Sequence, residues 1–302
     1  RRQRGVYTAH RFEFGSPANS ILLVLLDMRY FRDPYGTPDG DFLGEEQWQW
    51  LDQTLADSTA TVHLLMSSIQ FLPKRYHGLG EQWGRFPKAR ARFLQLLARH
   101  NVSSPIVLSG DVHFAELNMG HCAGGRLMEF TSSGMTHSVG NASIPVLRQL
   151  MSLGLDFAMS VMPWRYQMRD SSTGARSYFT GFNFGELEFD WPNRQVKVGI
   201  VSSNGARHLQ ETFQLDDLSV GRAGEGGVAD FGPRGGEPKR WRVSLGLIVL
   251  FGTPLLTVLS MLLCLALAAL RAVRTVVRSF GEHSEMEKSD SDSSSASDTS
   301  SE

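Results

Sequence analysis

The segment Ile106-Val107-Leu108-Ser109-Gly110-Asp111-Val112-His113 ends an apolar run in a glycine, then sets a carboxylate and an imidazole one residue apart. The glycine is expected to allow a tight turn off a strand. Behind it, Asp111 and His113 can aim a hard oxygen and a borderline nitrogen at one point, as a metal site with carboxylate and imidazole ligands requires. The same string also occurs in solvated loops, where the acid caps a helix and the histidine makes an ordinary hydrogen bond. Its place in the chain favours the first reading.

Strand and helix patterns alternate before it. Ile21-Leu22-Leu23-Val24-Leu25-Leu26 is a continuous apolar run of the kind a doubly covered parallel strand shows. Residues 44–56 repeat apolar side chains at helical spacing, with Trp48, Leu51 and Leu55 on one face. A second strand is expected over 62–66, and Pro87 suits the first turn of a helix continued by Phe93, Leu94, Leu96 and Leu97. Ile106 to Leu108 makes a third strand. Right-handed crossovers then predict three parallel strands in one sheet. Ligands of such sheets gather outside the carboxyl ends of the strands. That edge carries Asp27 and Arg29, then Ser67, Ser68 and Gln70, then Asp111 and His113.

Beyond His113 the pattern changes. Residues 127–131 read as a strand, followed by Ser132-Ser133-Gly134 and His137. A methionine-rich helical stretch covers 144–162, where methionine serves as core filler. Leu187, Phe189 and Trp191 alternate with Glu186, Glu188 and Asp190 as a half-buried strand, turned by Pro192-Asn193. Val196, Val198 and Ile200 alternate again, and Asn204-Gly205 is a hairpin turn into the next strand. The fold class is therefore α/β, a layered sandwich over 5–218.

Residues 219–242 read as a Gly- and Pro-rich linker. Residues 243–270 contain no charge, and at 1.5 Å per residue they span about 40 Å against a hydrocarbon core of about 30 Å, so a single transmembrane helix is expected. Basic residues flank both ends, so the positive-inside rule does not orient it. Residues 271–302 pass from basic to an acidic, serine-rich tail that cannot form a core. Its serines beside acids suit a cytosolic kinase and possible cytosolic partners, which would place the sandwich on the lumenal or extracellular side. Asn101-Val-Ser103 and Asn141-Ala-Ser143 are glycosylation sequons consistent with that side. The chain opens on Arg1 without a signal-peptide pattern, so it is read as processed or as the C-terminal part of something longer. Two cysteines, Cys122 and Cys264, supply no disulfide framework. A formal net charge of −1 gives no global signal for nucleic acid.

A set of motifs in order carries a family resemblance. They are Leu26-Asp27-Met28-Arg29-Tyr30-Phe31-Arg32-Asp33, Asp41-Phe42-Leu43-Gly44-Glu45-Glu46-Gln47-Trp48, Ser67-Ser68-Ile69-Gln70 and Trp83-Gly84-Arg85-Phe86-Pro87. Then come Leu108 to Leu117, Thr131-Ser132-Ser133-Gly134-Met135-Thr136-His137-Ser138 and Asn183 to Trp191. Over roughly Gly5 to Leu218 the chain resembles the PhoD-like alkaline phosphatases of the metallophosphoesterase superfamily, and most of all their eukaryotic membrane-anchored members. The resemblance implies an α/β/β/α sandwich and a metal-dependent phosphoesterase. It implies a metal pair, calcium with iron or another divalent pair, ligated in part by Asp111 and His113. The family's earlier ligands would precede Gly5, so this chain resembles the C-terminal half of the catalytic domain.

Beside each functional role stands a plainer one. Arg29 either orients a phosphate or makes an ion pair with Asp33 or Asp27. His137 either reaches the substrate as general acid or makes a surface hydrogen bond. Asp27 is read as fixing its loop, and Trp48 and Trp83 as packing. The leading function is hydrolysis of a phosphomonoester or phosphodiester by a metal-activated water. The alternative is a catalytically incomplete, membrane-anchored protein that acts through its acidic tail.

Overall fold

The computed structural model describes residues 3–73, 81–122, 125–140 and 178–221, with single residues at 149, 153, 260, 261, 267 and 268. In chain order the strands are β1 (Thr8–Glu13), β2 (Ser20–Leu25), β3 (Val62–Met66), β4 (Pro105–Ser109), β5 (Ala115–Cys122), β6 (Gly125–Ser132), β7 (Tyr178–Phe179), β8 (Asn183–Asp190), β9 (Gln195–Ser202) and β10 (Arg207–Gln214). Helix α1 (Gly44–Ala56) joins β2 to β3, and α2 (Pro87–Arg99) joins β3 to β4. A seven-stranded sheet has the order β1-β2-β3-β4-β6-β5-β7, and a three-stranded sheet the order β10-β9-β8.

The three parallel strands expected from the apolar runs form as β2, β3 and β4, and β6 continues them in parallel. Their side chains alternate between two cores because successive residues of a strand point to opposite faces. Leu22, Val24, Leu65 and Val107 face α1 and α2, whose Trp48, Leu51, Leu55, Phe93 and Leu97 cover them. Ile21, Leu64 and Ile106, with Leu117, Met128 and Phe130, face Val196, Val198, Ile200 and Phe213 of the second sheet. The described residues thus stack as helices, sheet and sheet. The second helical layer of the expected α/β/β/α sandwich is not formed among them, and residues 144–162 fall almost wholly outside the described residues.

Three strands escaped the sequence reading: β1, β5 and the two-residue β7. Strand β1 is mostly exposed and pairs antiparallel with β2 at the sheet edge. Its lack of a buried face removes the alternation that would have marked it. Strand β5 puts Glu116 and Asn118, both buried, among its apolar residues. Trp191 lies beyond the strand it was expected to end, since β8 stops at Asp190. It stacks instead on Phe189 at 5.4 Å and on Phe14 at 5.6 Å.

Helix α1 starts where the spacing placed it, and the Asp41 carboxylate accepts from Gly44 N at 2.8 Å and from Trp48 Nε1 at 2.7 Å. Ser219 N still donates to Arg126 O, and Val220 is buried. The chain divides into two units, Arg1–Leu247 and Ile248–Glu302. Among the described residues no helix is long and apolar enough to cross a membrane. The uncharged stretch 243–270 lies outside the described residues except at Ser260, Met261, Leu267 and Ala268.

His63 on β3 couples this core to pH. Its ring is 3% exposed, with Nδ1 2.8 Å from Ser103 O and Nε2 2.8 Å from Ser58 Oγ. A carbonyl only accepts, so Nδ1 carries the proton and Nε2 accepts from the serine hydroxyl. Burial pushes the His63 pKa down, with Arg11 adding to the effect and the Ser103 carbonyl opposing it. An unfolded chain then takes up this proton at a higher pH than the folded one. Above about pH 7.5 both forms are neutral and His63 leaves stability unchanged. As pH falls through about 6.5 towards the lowered folded value, stability is lost. Urea unfolding at pH 7.5 and 5.5 should show a larger acid loss in the wild type than in His63→Gln. Equal losses would contradict this account.

Candidate active site

The site is assembled where β2, β3 and β4 end. After β2, Asp27 is buried and its carboxylate is fully engaged. Oδ1 accepts from Arg29 N and Tyr30 N, each at 2.9 Å, and Oδ2 accepts from Val6 N at 2.9 Å. Burial works against its charged form, but the amides of Tyr30, Arg29 and Val6 outweigh that and hold its pKa below the usual range. Asp27 therefore shapes the loop that presents Arg29, as the sequence suggested. Gln47 of α1 secures the same bend, accepting from Asp27 N at 2.9 Å and donating to Asp27 O at 2.8 Å.

Arg29 is not paired with Asp33 or Asp27. Its Nη1 lies 2.5 Å from Glu81 Oε2 and its Nη2 3.8 Å from Asp111 Oδ1. Glu81 carries no signal of this role in the sequence, since it sits well beyond β3 in a segment without periodicity. The arginine thus reaches from the first strand end to the third.

After β4 the turn differs from expectation. Gly110 does not adopt a positive φ, and a Cβ on it would meet only ordinary contacts, at 3.7 Å from Ser68 O and 3.8 Å from Ser133 Oγ. The left-handed residues are Asp111 (φ 76°) and His113 (φ 60°). Side-chain-bearing residues enter this region at a cost of about 1 kcal/mol or more each, and such residues concentrate at functional sites. Ser133 Oγ accepts from His113 N at 3.2 Å, and His113 O accepts from Val139 N at 3.0 Å. The Asp111 pKa is raised by burial and by Glu81, against the opposing pull of Arg29 and His113.

His137 arrives on the segment after β6. Its ring lies 5.9 Å from that of His113, at 29° between planes, and its Nδ1 is 3.1 Å from Thr136 Oγ1. Asp111, His113 and His137 line one cavity of about 390 Å³ with Ser133, Asn183 and Phe184. A second cavity of about 360 Å³ adjoins it at Ser132 and Gly185. Three of the four singled-out residues therefore line one cavity, and the fourth, Arg29, reaches it only through its 3.8 Å approach to Asp111.

Two supports were missed. Asn183, 3% exposed, ties the sheets together under the cavity. It accepts from Ser132 Oγ at 3.1 Å, donates through Nδ2 to Gly181 O at 2.8 Å, and donates its backbone N to Gly134 O at 3.0 Å. Glu129 on β6 is wholly buried and accepts from Phe71 N and Leu72 N at 2.7 Å each, and from Ser109 Oγ at 2.7 Å. Arg90 binds the same two residues through their carbonyls. Gln70, also at a strand end, donates to Glu116 at 2.5 Å and Thr131 at 3.3 Å. An acid set inside Leu127-Met128-Glu129-Phe130 was the available signal, because a buried carboxylate persists only where donors surround it.

The donor chemistry fits a metal in part. Asp111 and His113 supply one carboxylate and one imidazole, whereas a metal centre takes three or four protein donors. Among the described residues no group of three or more His, Cys, Asp or Glu side chains converges on one point.

Residues 3–151 match the model of the PhoD-like phosphatase family, a span that includes Asp27, Arg29, Asp111, His113 and His137. Over that span, just under half of its length, the chain is similar to the PhoD-like phosphatases. Alkaline phosphatase D of Bacillus subtilis (strain 168) is 31% identical over 122 residues, which cover 34% of this chain and 20% of that protein. A solved structure of PhoD superimposes on 82% of this chain and 50% of its own, at 17% identity and a TM-score of 0.47. The chain thus spans about a fifth of its curated PhoD-like relative.

Proposed function

We propose that the chain carries part of the active site of a metal-dependent phosphoesterase that cleaves phosphomonoesters or phosphodiesters. The observation that supports this most is the turn after β4, where Asp111 and His113 both hold left-handed backbone beside the Arg29 guanidinium. Asp111 and His113 would hold a metal together with donors outside the described residues. When bound, a metal pair would polarise a phosphoryl oxygen and supply an activated water. Arg29 would orient the phosphoryl oxygens by charge-assisted hydrogen bonds, exchanging Glu81 for the substrate. Thr136 engages His137 Nδ1, which leaves Nε2 to hold a proton for the leaving oxygen.

The test uses the full chain, p-nitrophenyl phosphate and bis(p-nitrophenyl) phosphate, before and after chelation. Calcium with ferric iron, manganese and zinc are each restored in turn, and bound metal is counted by mass spectrometry. Activity that is lost on chelation and returns with metal is expected. Activity indifferent to the chelator would overturn metal dependence. Metal binding without turnover on either ester would leave the anchored, non-catalytic protein as the better reading.

The single span over 243–270, with the phosphatase domain on the lumenal or extracellular side and the acidic tail in the cytosol, belongs to the same proposal and rests on the sequence. Asn101 is exposed at the turn after α2, as a glycan acceptor must be. Asn141 lies outside the described residues. Carbonate extraction should leave the protein in the membrane pellet, and glycosidase treatment should lower its mass. Release into the supernatant would sink the span, and an unchanged mass would sink the glycan.

A further inference from the structure

Two more arginines stand beyond Arg29 on the same edge. Arg32, from the loop after β2, and Arg85, from the segment after β3, place their guanidinium carbons 4.5 and 4.4 Å from the centre of the Tyr35 ring. Glu81, which holds Arg29, also faces the Tyr35 phenol, so a chain of contacts runs from Asp111 through Arg29 and Glu81 to this ring. The ring is itself fixed, stacked on Phe86 at 5.7 Å and edge-on to Phe42 at 6.4 Å.

Among the described acids nearby, Glu81 holds Arg29 and also attracts Arg32, while three others are engaged by different groups. Asp33 accepts from Asp41 N, Asp41 accepts from Gly44 N and Trp48 Nε1, and Asp39 pairs with Lys88 at 2.6 Å. Of its five N–H donors, Arg32 uses one on a described residue, to Asp33 O at 3.5 Å. A guanidinium laid on an aromatic face is oriented by the ring and weakly hydrated, and its remaining fork of donors matches the oxygens of a phosphate.

We infer that Arg32 and Arg85, platformed on Tyr35, form an anion subsite linked to Asp111 through Arg29, and that it takes the second anionic group of a polyanionic phosphate ester. This rests on the phosphoesterase reading for the first group and not for the second. Two cations brought by different loops to one ring bind a distal phosphate better than a lone phosphate at the Asp111 turn. The site therefore selects substrates that carry a further phosphate or carboxylate over those with an apolar leaving group.

Calorimetric titration of the full chain with inorganic tripolyphosphate and with inorganic phosphate, at low salt, tests it. Tripolyphosphate should bind at least about tenfold more tightly, the scale of one added charge-assisted contact. Arg32→Gln and Arg85→Gln should each remove most of that preference. Arg32→Lys, which keeps the charge but not the flat fork, should recover little of it. Lys88→Gln removes a nearby, more exposed charge and should change it less than about twofold, as a rim charge does. A matching loss in Lys88→Gln, or no preference in the wild type, would overturn the subsite. Tripolyphosphate binding without ester hydrolysis would defeat the phosphoesterase reading and leave the subsite standing.

Discussion

Asp111→Asn should lower kcat/KM for phosphate esters by about two to three orders of magnitude while leaving the fold intact. The substitution separates chemistry from structure because of the backbone at this position. Asp111 has φ 76°, and asparagine is the other residue with a side chain that tolerates this region readily. The amide also keeps the volume of the carboxylate, so the turn should survive. What disappears is the negative charge that faces Arg29 and would serve as a hard donor to a metal. Thermal unfolding within about 1 kcal/mol of wild type, together with reduced metal uptake, is the expected pairing. Undiminished metal uptake and turnover in a folded Asn variant would remove Asp111 from the site. Asp111→Val would not give the same information, since a β-branched residue cannot sit comfortably at this φ.

The second large effect lies at Gly134. A Cβ there would stand 1.9 Å from Asn183 Nδ2 and 2.7 Å from its Cγ. Asn183 cannot step aside cheaply, because its amide holds Ser132 Oγ and Gly181 O in a buried setting. Gly134→Ala should therefore cost about 2–4 kcal/mol, combining an overpacked contact with the loss of buried hydrogen bonds. For a domain of this size that is a fall in Tm of about 5–10 °C. The double variant Gly134→Ala with Asn183→Ala should lose less than the sum of the two single changes, because the second deletion removes the clash. Strict additivity in calorimetric unfolding would show that the two residues do not meet.

Much of this frame could be read from the chain. The parallel strands, both helices and the last hairpin follow from apolar periodicity because each buries one face or both, and a buried face writes its period into the sequence. Asp111, His113 and His137 could be placed together because strand ends are set by the end of the apolar run. The partner of Arg29 could not, since Glu81 is brought in by a loop whose path depends on Gln70 and Trp83 pairing through their backbones. Nor could the role of Gly110, where the residue type suggested a turn that its neighbours make instead. Glu129, Glu116 and Asn183 were hidden for a shared reason. Their value comes from donors far away in sequence, and a polar residue at an inward strand position gives no hint of who will meet it.

The order of strands has a bearing on time. Strand β6 lies between β4 and β5, so the short link from Ser109 to Ala115 steps over a strand the chain has not yet made when it passes. Strands β5 and β6 are nearest neighbours in sequence and pair along eight residues each, a hairpin of the sort that closes in about 1–10 microseconds. The parallel contact of β4 with β6 joins more distant segments and must wait for that hairpin to dock. The turn bearing Asp111 and His113 takes its final shape only then, because the Ser133 hydroxyl that receives the His113 amide comes with the docked strand. Pulsed hydrogen exchange during refolding should protect the β5–β6 amides before that of His113, and the reverse order would refute the sequence of events. On this view the turn bearing Asp111 and His113 sets after the β5–β6 hairpin, and it is shaped by a strand made after it.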